Sequence, residues 1–262
     1  ATIMERLSGE RFDLYMKKHV LDPLGIEAAY NINLLGDAAF ANLGALYRKA
    51  PGSEGPWDQA GPWIPQTDDY RGARPELAQR YQAGPEGQVP ALAAYSTGSN
   101  GTMFSPQGGL RISIRDYAGI LRIFMEGGRC GGIRVLDGQS VCDMMTPRWR
   151  YDPAAANGNS YYGMTRESGL ALFHTTDSRD DMGCDRLIPQ GGLKMWGHHG
   201  DAYGYLGAAL FDPGTNRGLV YAISGTAADP MINRGSYSSW FVWEELIQKT
   251  VLEGIFGYGR KV

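Results

Sequence analysis

The chain has 262 residues, a net charge of -3 and 43% hydrophobic residues, enough for one large domain or two interleaved ones. The sequence has no basic cluster, which argues against a nucleic-acid partner because phosphate binding needs concentrated positive charge. No apolar stretch approaches the ~20 residues of a membrane-spanning helix, and no signal-peptide pattern opens the sequence.

The three cysteines, Cys130, Cys142 and Cys184, are odd in number and show no Cys-x-x-Cys spacing. Zinc binding and thioredoxin-like redox chemistry therefore lack support. We expect buried or incidental thiols. One disulfide with a free thiol stays open as the alternative, so the cysteines do not decide the compartment.

The first fifty residues predict helices. Thr2 to Leu7 has a helical pattern, and Gly9 suits a left-handed cap at its end. A second helix begins at about Arg11 and ends at Pro23. Its apolar stripe consists of Phe12, Tyr15, Met16 and Val20.

Residues 50–108 lose apolar periodicity and predict a long irregular excursion. Its aromatic residues indicate a packed segment: Trp57, Trp63, Tyr70, Tyr81 and Tyr95. We expect Trp57 and Trp63 to lie in the core of this excursion, with a place in an acyl pocket as the alternative. Ser105-Pro-Gln-Gly-Gly predicts a plain turn, with a ligand contact as the alternative.

The clearest helix follows Ser113, an N-cap residue with Asp116 three positions later, and ends at Gly127 and Gly128. Its predicted apolar face comprises Ile114, Tyr117, Ala118, Leu121, Phe124 and Met125. A further short helix is predicted from Gln139 to Met145.

The last hundred residues predict strands and a final helix. The strands are Leu193 to His198, Tyr205 to Phe211 and Leu219 to Ser224, and residues 212–218 join the last two in a hairpin. The helix runs from about Ser239 to Glu253. Its predicted buried positions are Trp240, Trp243, Leu246, Ile247 and Val251. This order suggests a helix laid across one face of an antiparallel sheet.

Four stretches together resemble the β-lactamase-related serine hydrolases, which include class C β-lactamases, DD-peptidases and family VIII-type esterases. They are GERFDLYMKKHVLDPLGI (9–26), SPQGGLRISIRDYAGILRIFMEGG (105–128), GIRVLDGQSVCDMMTP (132–147) and GHHGDAYGYLGAALFDPGTNRGLVYAISGT (197–226). Their order and spacing fit the family, although Ile26 replaces the usual Met after Pro-Leu-Gly.

The resemblance implies an α/β fold of the α+β type, with an antiparallel sheet flanked by helices, as in β-lactamases and transpeptidases. It implies a mainly helical subdomain at 1–160, which includes the excursion at 50–108. It also implies a second subdomain at 161–262, which holds antiparallel strands and the C-terminal helix.

Two catalytic motifs of that family are absent from the sequence. No serine has lysine three residues later, and no tyrosine has asparagine two residues later. A serine hydroxyl is a weak nucleophile and needs an adjacent base. In the family both motifs precede the Pro-Leu-Gly helix, which here lies almost at residue 1. We therefore expect a C-terminal part of a hydrolase that holds no nucleophile and is inactive alone.

A third family motif has a counterpart here, because His198-His199-Gly200 stands where the family has Lys-Thr-Gly or His-x-Gly. The resemblance implies that His198 is a catalytic residue of the cleft wall. It implies that Gly200 lets the chain pass close to an acyl group, and that the backbone N–H of Asp201 is an oxyanion-hole donor. His199 and Tyr203 are the remaining candidates for substrate binding.

Structural readings of these residues stay open. Both histidines could be ordinary strand residues, and Tyr203 and Tyr205 are more often packing residues of a hairpin. Adjacent strand residues face opposite sides, so only one of His198 and His199 should face a cleft. Asp201 with the histidine pair does not complete a metal site, and no cofactor is expected.

The resemblance implies acyl transfer through a serine ester of the enzyme, with a small-molecule ester, amide or β-lactam as substrate. Histidine in the third motif favours an esterase or peptidase. The alternative is a non-catalytic ligand-binding or structural remnant of the same fold. The missing N-terminal segment is a further expected partner, and a periplasmic or secreted location in a bacterium is expected, with a cytoplasmic one open.

Overall fold

A computed structural model describes residues 1–50, 55–75, 92, 95–99 and 101–258 of the protein. The α-helices are α1 (Thr2–Ser8), α2 (Phe12–Met16), α3 (Asp37–Ala41), α4 (Ile114–Met125), α5 (Gly138–Met144) and α6 (Val242–Lys249). The strands are β1 (Leu46–Arg48), β2 (Ile64–Thr67), β3 (Arg129–Cys130), β4 (Ile133–Arg134), β5 (Trp149–Arg150), β6 (Glu167–Ser168), β7 (Phe173–His174), β8 (Arg179–Asp180), β9 (Gly183–Cys184), β10 (Trp196–Ala202), β11 (Tyr205–Asp212) and β12 (Arg217–Ile223). Tyr81 lies outside the described residues.

The chain divides into two compact units. The first unit contains residues 1–45, 68–119 and 131–133, and the second contains residues 46–67, 120–130 and 134–262. Residues 46–67 and 134–160 belong to the second of these units, and the division into subdomains at residue 160 stays a prediction.

The helices of the first unit begin as the sequence predicts. Gly9 ends α1 in a left-handed conformation with φ 72°. The second predicted helix is confirmed from Phe12, but it changes to a π-turn at Lys17–Leu21 and to a 3₁₀ turn at Asp22–Leu24. Pro23 therefore does not end the helix before it, as predicted, but lies inside the 3₁₀ turn. It is tolerated there because it occupies the first turn of that 3₁₀ segment, where its missing N–H would have no helical acceptor.

Helix α4 has the predicted cap. The backbone N–H of Asp116 donates to Ser113 Oγ at 3.0 Å, and two glycines with positive φ follow the helix. The predicted apolar face is only partly correct, because Leu121 and Ile123 are the buried positions while Ile114 is exposed.

A six-stranded antiparallel sheet organises the second unit, with strand order β12-β11-β10-β7-β6-β5. The predicted hairpin is confirmed, since β11 pairs with β12 from Asp212↔Arg217 to Leu206↔Ile223. Strand β11 is buried on both faces: Ala208 and Leu210 belong to the main core cluster, while Phe211 stacks on Phe124 of α4 at 5.7 Å. The predicted antiparallel sheet with flanking helices is thus confirmed.

The C-terminal helix confirms the predicted buried face only in part. Ile247 and Val251 pack against the main core cluster as predicted. Trp240 is buried just before it, but Trp243 and Leu246 are 54% and 49% exposed. Buried instead are Glu244, Glu245 and Gln248. Partners outside the helix explain the difference, because the serine loop at 236–238 and a tyrosine of β12 supply hydrogen bonds to these side chains.

The described part of the excursion contains the strand β2, which pairs with β1. Its tryptophans are not core residues, which corrects the prediction. Trp57 is half-buried under the guanidinium of Arg48, and Trp63 is 46% exposed beneath the ammonium group of Lys49. Cation–π contacts stabilise both tryptophan rings at the surface, outside the apolar core.

All three cysteines are free, with Cys184 buried, Cys130 half-buried and Cys142 exposed. Within the described ranges, no helix combines the length and apolarity needed to cross a bilayer.

Candidate active site

Strand β10 carries the histidine motif. It begins at Trp196 instead of the predicted Leu193 and continues past His198 to Ala202. It ends in a two-residue turn, Tyr203-Gly204, with φ values of 58° and 82°. Two positive φ values in a two-residue hairpin are typical of a type I′ turn, which fixes the register of the flanking strands. Any side chain at Gly204 would overlap the carbonyl oxygen of Tyr47, so the turn also seats closely on β1.

The register determines where the backbone of Asp201 points. Ala202 and Tyr205 close the two-residue turn and form a hydrogen-bonded pair, and such pairs alternate with non-hydrogen-bonded ones along an antiparallel ladder. Asp201 faces Leu206 in the next, non-hydrogen-bonded pair. The N–H of Asp201 therefore points away from β11.

The other side of β10 is partly open. Strand β7 pairs with β10 only at Trp196 and Gly197, and among the described residues no strand pairs with the segment from His198 to Ala202 on that side. The N–H of Asp201 thus faces an unpaired strand edge, which is where an oxyanion-hole donor must lie to reach a ligand.

His198 is exposed and has a defined orientation. Its ring stacks on Phe173 with centroids 4.4 Å apart and planes at 29°, and its Nδ1 lies 2.7 Å from the carbonyl oxygen of His199. A carbonyl only accepts, so Nδ1 carries the proton. In the neutral tautomer that carries its proton on Nδ1, Nε2 is an acceptor.

His199 lies on the inner side of the strand, half-buried among aromatic rings. Phe173, Trp240 and Tyr161 have ring centroids 5.3, 5.5 and 6.3 Å from it. Its Nε2 is 2.8 Å from Thr165 Oγ1. The two neighbouring histidines therefore differ, as strand alternation predicts: one is exposed and the other is enclosed.

Burial, together with a smaller effect of the nearby charge of His198, lowers the pKa of His199 to about 4. His199 is therefore a neutral imidazole at neutral pH. It can exchange a hydrogen bond with a ligand or with Thr165, but it cannot provide a positive charge for a substrate carboxylate.

The side chain of Asp201 is exposed at the strand edge. Desolvation by the surrounding protein raises the pKa of Asp201, while the positive charges of Arg234 and Arg48 oppose that shift. Tyr203 is 44% exposed at the first position of the turn. Gly200 lies opposite Gly207, with the ring of Tyr205 3.3 Å from the place where its Cβ would be.

The residues around His199 were not found from the sequence. Thr165 and Phe173 precede it by 34 and 26 residues, and neither belongs to a motif. A sequence signal existed only for the neighbouring Tyr161-Tyr162-Gly163 segment, where an aromatic pair follows a run of turn-forming residues.

A family model described as Beta-lactamase matches residues 1–236, which is nine-tenths of the sequence. The chain belongs to the beta-lactamase family. The predicted family membership is therefore confirmed, and the histidine motif of β10 lies inside the matched region.

Among solved structures, this beta-lactamase family member is similar to the octameric penicillin-binding protein homologue from Pyrococcus abyssi, with a TM-score of 0.53 and 18% sequence identity. The match covers 97% of this chain and 40% of that chain, so the present chain spans less than half the length of its structural neighbour. The likeness confirms the predicted β-lactamase-like fold. No curated protein matches the sequence. The roles of His198, His199, Gly200, Asp201 and Tyr203 stay predictions.

Proposed function

We propose that this member of the beta-lactamase family forms one wall of a serine acyl-transfer site that acts on an ester, amide or β-lactam. The observation that carries the proposal is the unpaired edge of β10, where the N–H of Asp201 points away from β11. A donor at that position can bind the oxygen that becomes negative when a carbonyl is attacked, a contribution of ~3 kcal/mol to such transition states.

His198 is the second element of the proposed wall. Its exposed ring is held by Phe173, and Nδ1 is committed to the carbonyl of His199. Nε2 is then the acceptor available for a hydroxyl of the substrate or of a serine–tyrosine network. This fixed orientation is what a proton-transfer or hydrogen-bonding role needs.

The nucleophile of the proposed reaction has to come from a Ser-x-x-Lys segment that these 262 residues do not contain. We propose that this segment belongs to the same protein, either covalently continuous with the chain or associated with it. The alternative, a non-catalytic remnant, is favoured only by the absence of that motif from the sequence.

The first experiment is intact-mass spectrometry after incubation with a fluorophosphonate or a fluorescent penicillin. The 262-residue chain alone should gain no covalent adduct. The protein that also contains the Ser-x-x-Lys segment should gain one adduct, and hydroxylamine should remove the penicilloyl ester. Labelling of the isolated chain, or no labelling of the complete protein, would contradict the proposal.

Asp201 supplies a matched pair of variants in the complete protein. Asp201→Pro removes the N–H without removing a hydrogen bond to β11, and should slow acylation about 100-fold. Asp201→Ala keeps the N–H and should acylate at a rate within about threefold of the wild type. Equal rates for the two variants would rule out the N–H as a donor.

A further inference from the structure

Two adjacent tyrosines beside the candidate site have an unusual backbone. Tyr161 and Tyr162 have φ values of 47° and 59°, so two successive residues with bulky side chains occupy the left-handed region. Each such residue costs on the order of 1–2 kcal/mol and persists only where its surroundings enforce it.

The surroundings do enforce it. Asn159 Oδ1 accepts from the N–H of Tyr161 at 2.7 Å, and the carbonyl of Ser160 accepts from the N–H of Thr165 at 2.9 Å. Arg166 donates through Nε to the carbonyl of Gly163 at 3.0 Å and forms an ion pair with Asp180. The loop is therefore fixed at both ends.

Close packing adds a second restraint. A Cβ atom at Gly183 would lie 1.8 Å from the carbonyl oxygen of Tyr162, so the backbone of this loop touches β9 directly. Only glycine allows that approach. The left-handed pair is thus held from outside the loop as well as from within it.

This rigid loop presents two aromatic rings to solvent. Tyr161 and Tyr162 are each 52% exposed, although aromatic side chains gain most from burial. The ring of Tyr161 meets His199 edge-on at 6.3 Å, and the guanidinium of Arg234 lies 4.9 Å from the ring centre of Tyr162. Each ring is supported from within the protein while much of its surface stays accessible.

We propose that Tyr161 and Tyr162 form an aromatic rim that determines specificity by binding a planar apolar substituent of the substrate. The role in substrate specificity rests on the proposed function. The binding of the planar group to the two rings does not depend on it. Fixed aromatic rings bind a second ring by stacking or edge-to-face contact with little loss of conformational entropy. Strain held at a solvent-exposed position next to His199 is consistent with a preformed binding surface.

The test uses non-covalent probes, so that it is independent of acylation. Phenylacetamide and cyclohexylacetamide have the same amide and similar size, but only the first has a planar ring. Saturation-transfer NMR on the full chain should give a dissociation constant at least about fivefold lower for phenylacetamide. Tyr161→Leu and Tyr162→Leu should each weaken phenylacetamide binding about fivefold, while Tyr161→Phe should bind as the wild type does.

Trp243→Leu is the matched control, because Trp243 is equally exposed but lies on α6. It should leave the dissociation constant unchanged, and circular dichroism should show that every variant is folded. The proposal is overturned by no detectable binding at 20 mM, by no preference for the planar probe, or by an equal loss in Trp243→Leu. Rim binding in a protein that resists covalent labelling would refute the proposed function alone.

Discussion

The surroundings of His199 and the start of helix α6 each enclose a titratable side chain, yet they shift its ionisation in opposite directions. His199 is a base whose pKa burial lowers to about 4, and Glu244 is an acid whose pKa burial raises to about 7. Trp240 links these regions, because its ring lies 5.5 Å from His199 and it precedes Glu244 by four residues. Both regions therefore favour the uncharged form of their titratable side chain. Their contributions to stability should change with pH in opposite directions.

A second contrast lies within the start of α6. Glu245 accepts four hydrogen bonds of 2.7–3.1 Å from the 236–238 loop. Among the described residues, its neighbour Glu244 accepts two hydrogen bonds, from the hydroxyl of Tyr221 at 3.1 Å and the N–H of Phe241 at 3.3 Å. The Tyr221 hydrogen bond partly offsets the effect of burial on the Glu244 pKa. Adjacent buried carboxylates of one helix thus receive very different numbers of hydrogen bonds.

The largest effect is expected for Glu245→Ala. Its removal leaves the donors of Ser236, Tyr237 and Ser238 without their acceptor, and should lower the free energy of unfolding by about 4 kcal/mol. Urea unfolding followed by tryptophan fluorescence measures it. Glu245→Gln keeps one acceptor oxygen and should lose about half as much. A loss below about 1 kcal/mol in the alanine variant would show that the loop is anchored by other contacts.

Glu244→Gln should change how stability depends on pH. The folded protein holds the Glu244 proton more tightly than the unfolded chain does, so this contribution is fully present below pH 4.5 and is lost as the pH rises through 7. Wild-type stability minus variant stability should therefore fall by about 3 kcal/mol from pH 4.5 to 7.5. Urea unfolding at a series of pH values measures the difference, and a constant difference would exclude the shifted pKa.

His199→Gln should show the opposite slope. The folded state resists protonation of His199, so its contribution is fully present above pH 6.5 and is lost as the pH falls towards 4. Wild-type stability minus variant stability should fall by about 3 kcal/mol from pH 7 to pH 4. The two slopes oppose each other between pH 4.5 and 6.5, so each variant should reveal a pH dependence that the wild type conceals. If the two stability differences changed with pH in the same direction, the opposite pKa shifts of His199 and Glu244 would be contradicted.

The smallest effect is expected for Trp243→Ala. This side chain is large and apolar, but it is 54% exposed on the outer face of α6. Its replacement should change the free energy of unfolding by no more than about 0.5 kcal/mol. Thermal unfolding provides the measurement. A loss above about 2 kcal/mol would show that the helix buries its apolar face in solution.

Local sequence signals predicted much of this fold. The left-handed cap at Gly9, the Ser113 cap and the β11–β12 hairpin depend on neighbours within a few residues, and all were predicted correctly. The buried face of α6 was predicted only in part: Ile247 packs against the core as expected, but the burial of Glu244 depends on Tyr221, 23 residues away. Apolar periodicity alone does not predict which polar side chains of a helix are buried when their hydrogen-bond partners lie far away in the sequence.

The candidate site shows the same limit. The motif placed the histidines on a strand and implied a role for the N–H of Asp201, and the register of β10 with β11 supplies the direction of that N–H. The partners of His199 could not be predicted, because Thr165 and Phe173 come from separate segments without a recognisable pattern. Long-range pairing, not residue type, determines which side chains surround the motif.

The two-residue turn at Tyr203-Gly204 fixes the register of β10 against β11, and with it the geometry of the candidate site. A shift of the β10–β11 register by one residue would exchange the faces of His198 and His199 and would turn the N–H of Asp201 towards β11. The site would then lose its donor although the amino-acid sequence of β10 was unchanged. Insertion of one residue into this turn should therefore remove the donor. In a family member with such an insertion, the oxyanion donor should be a different N–H group.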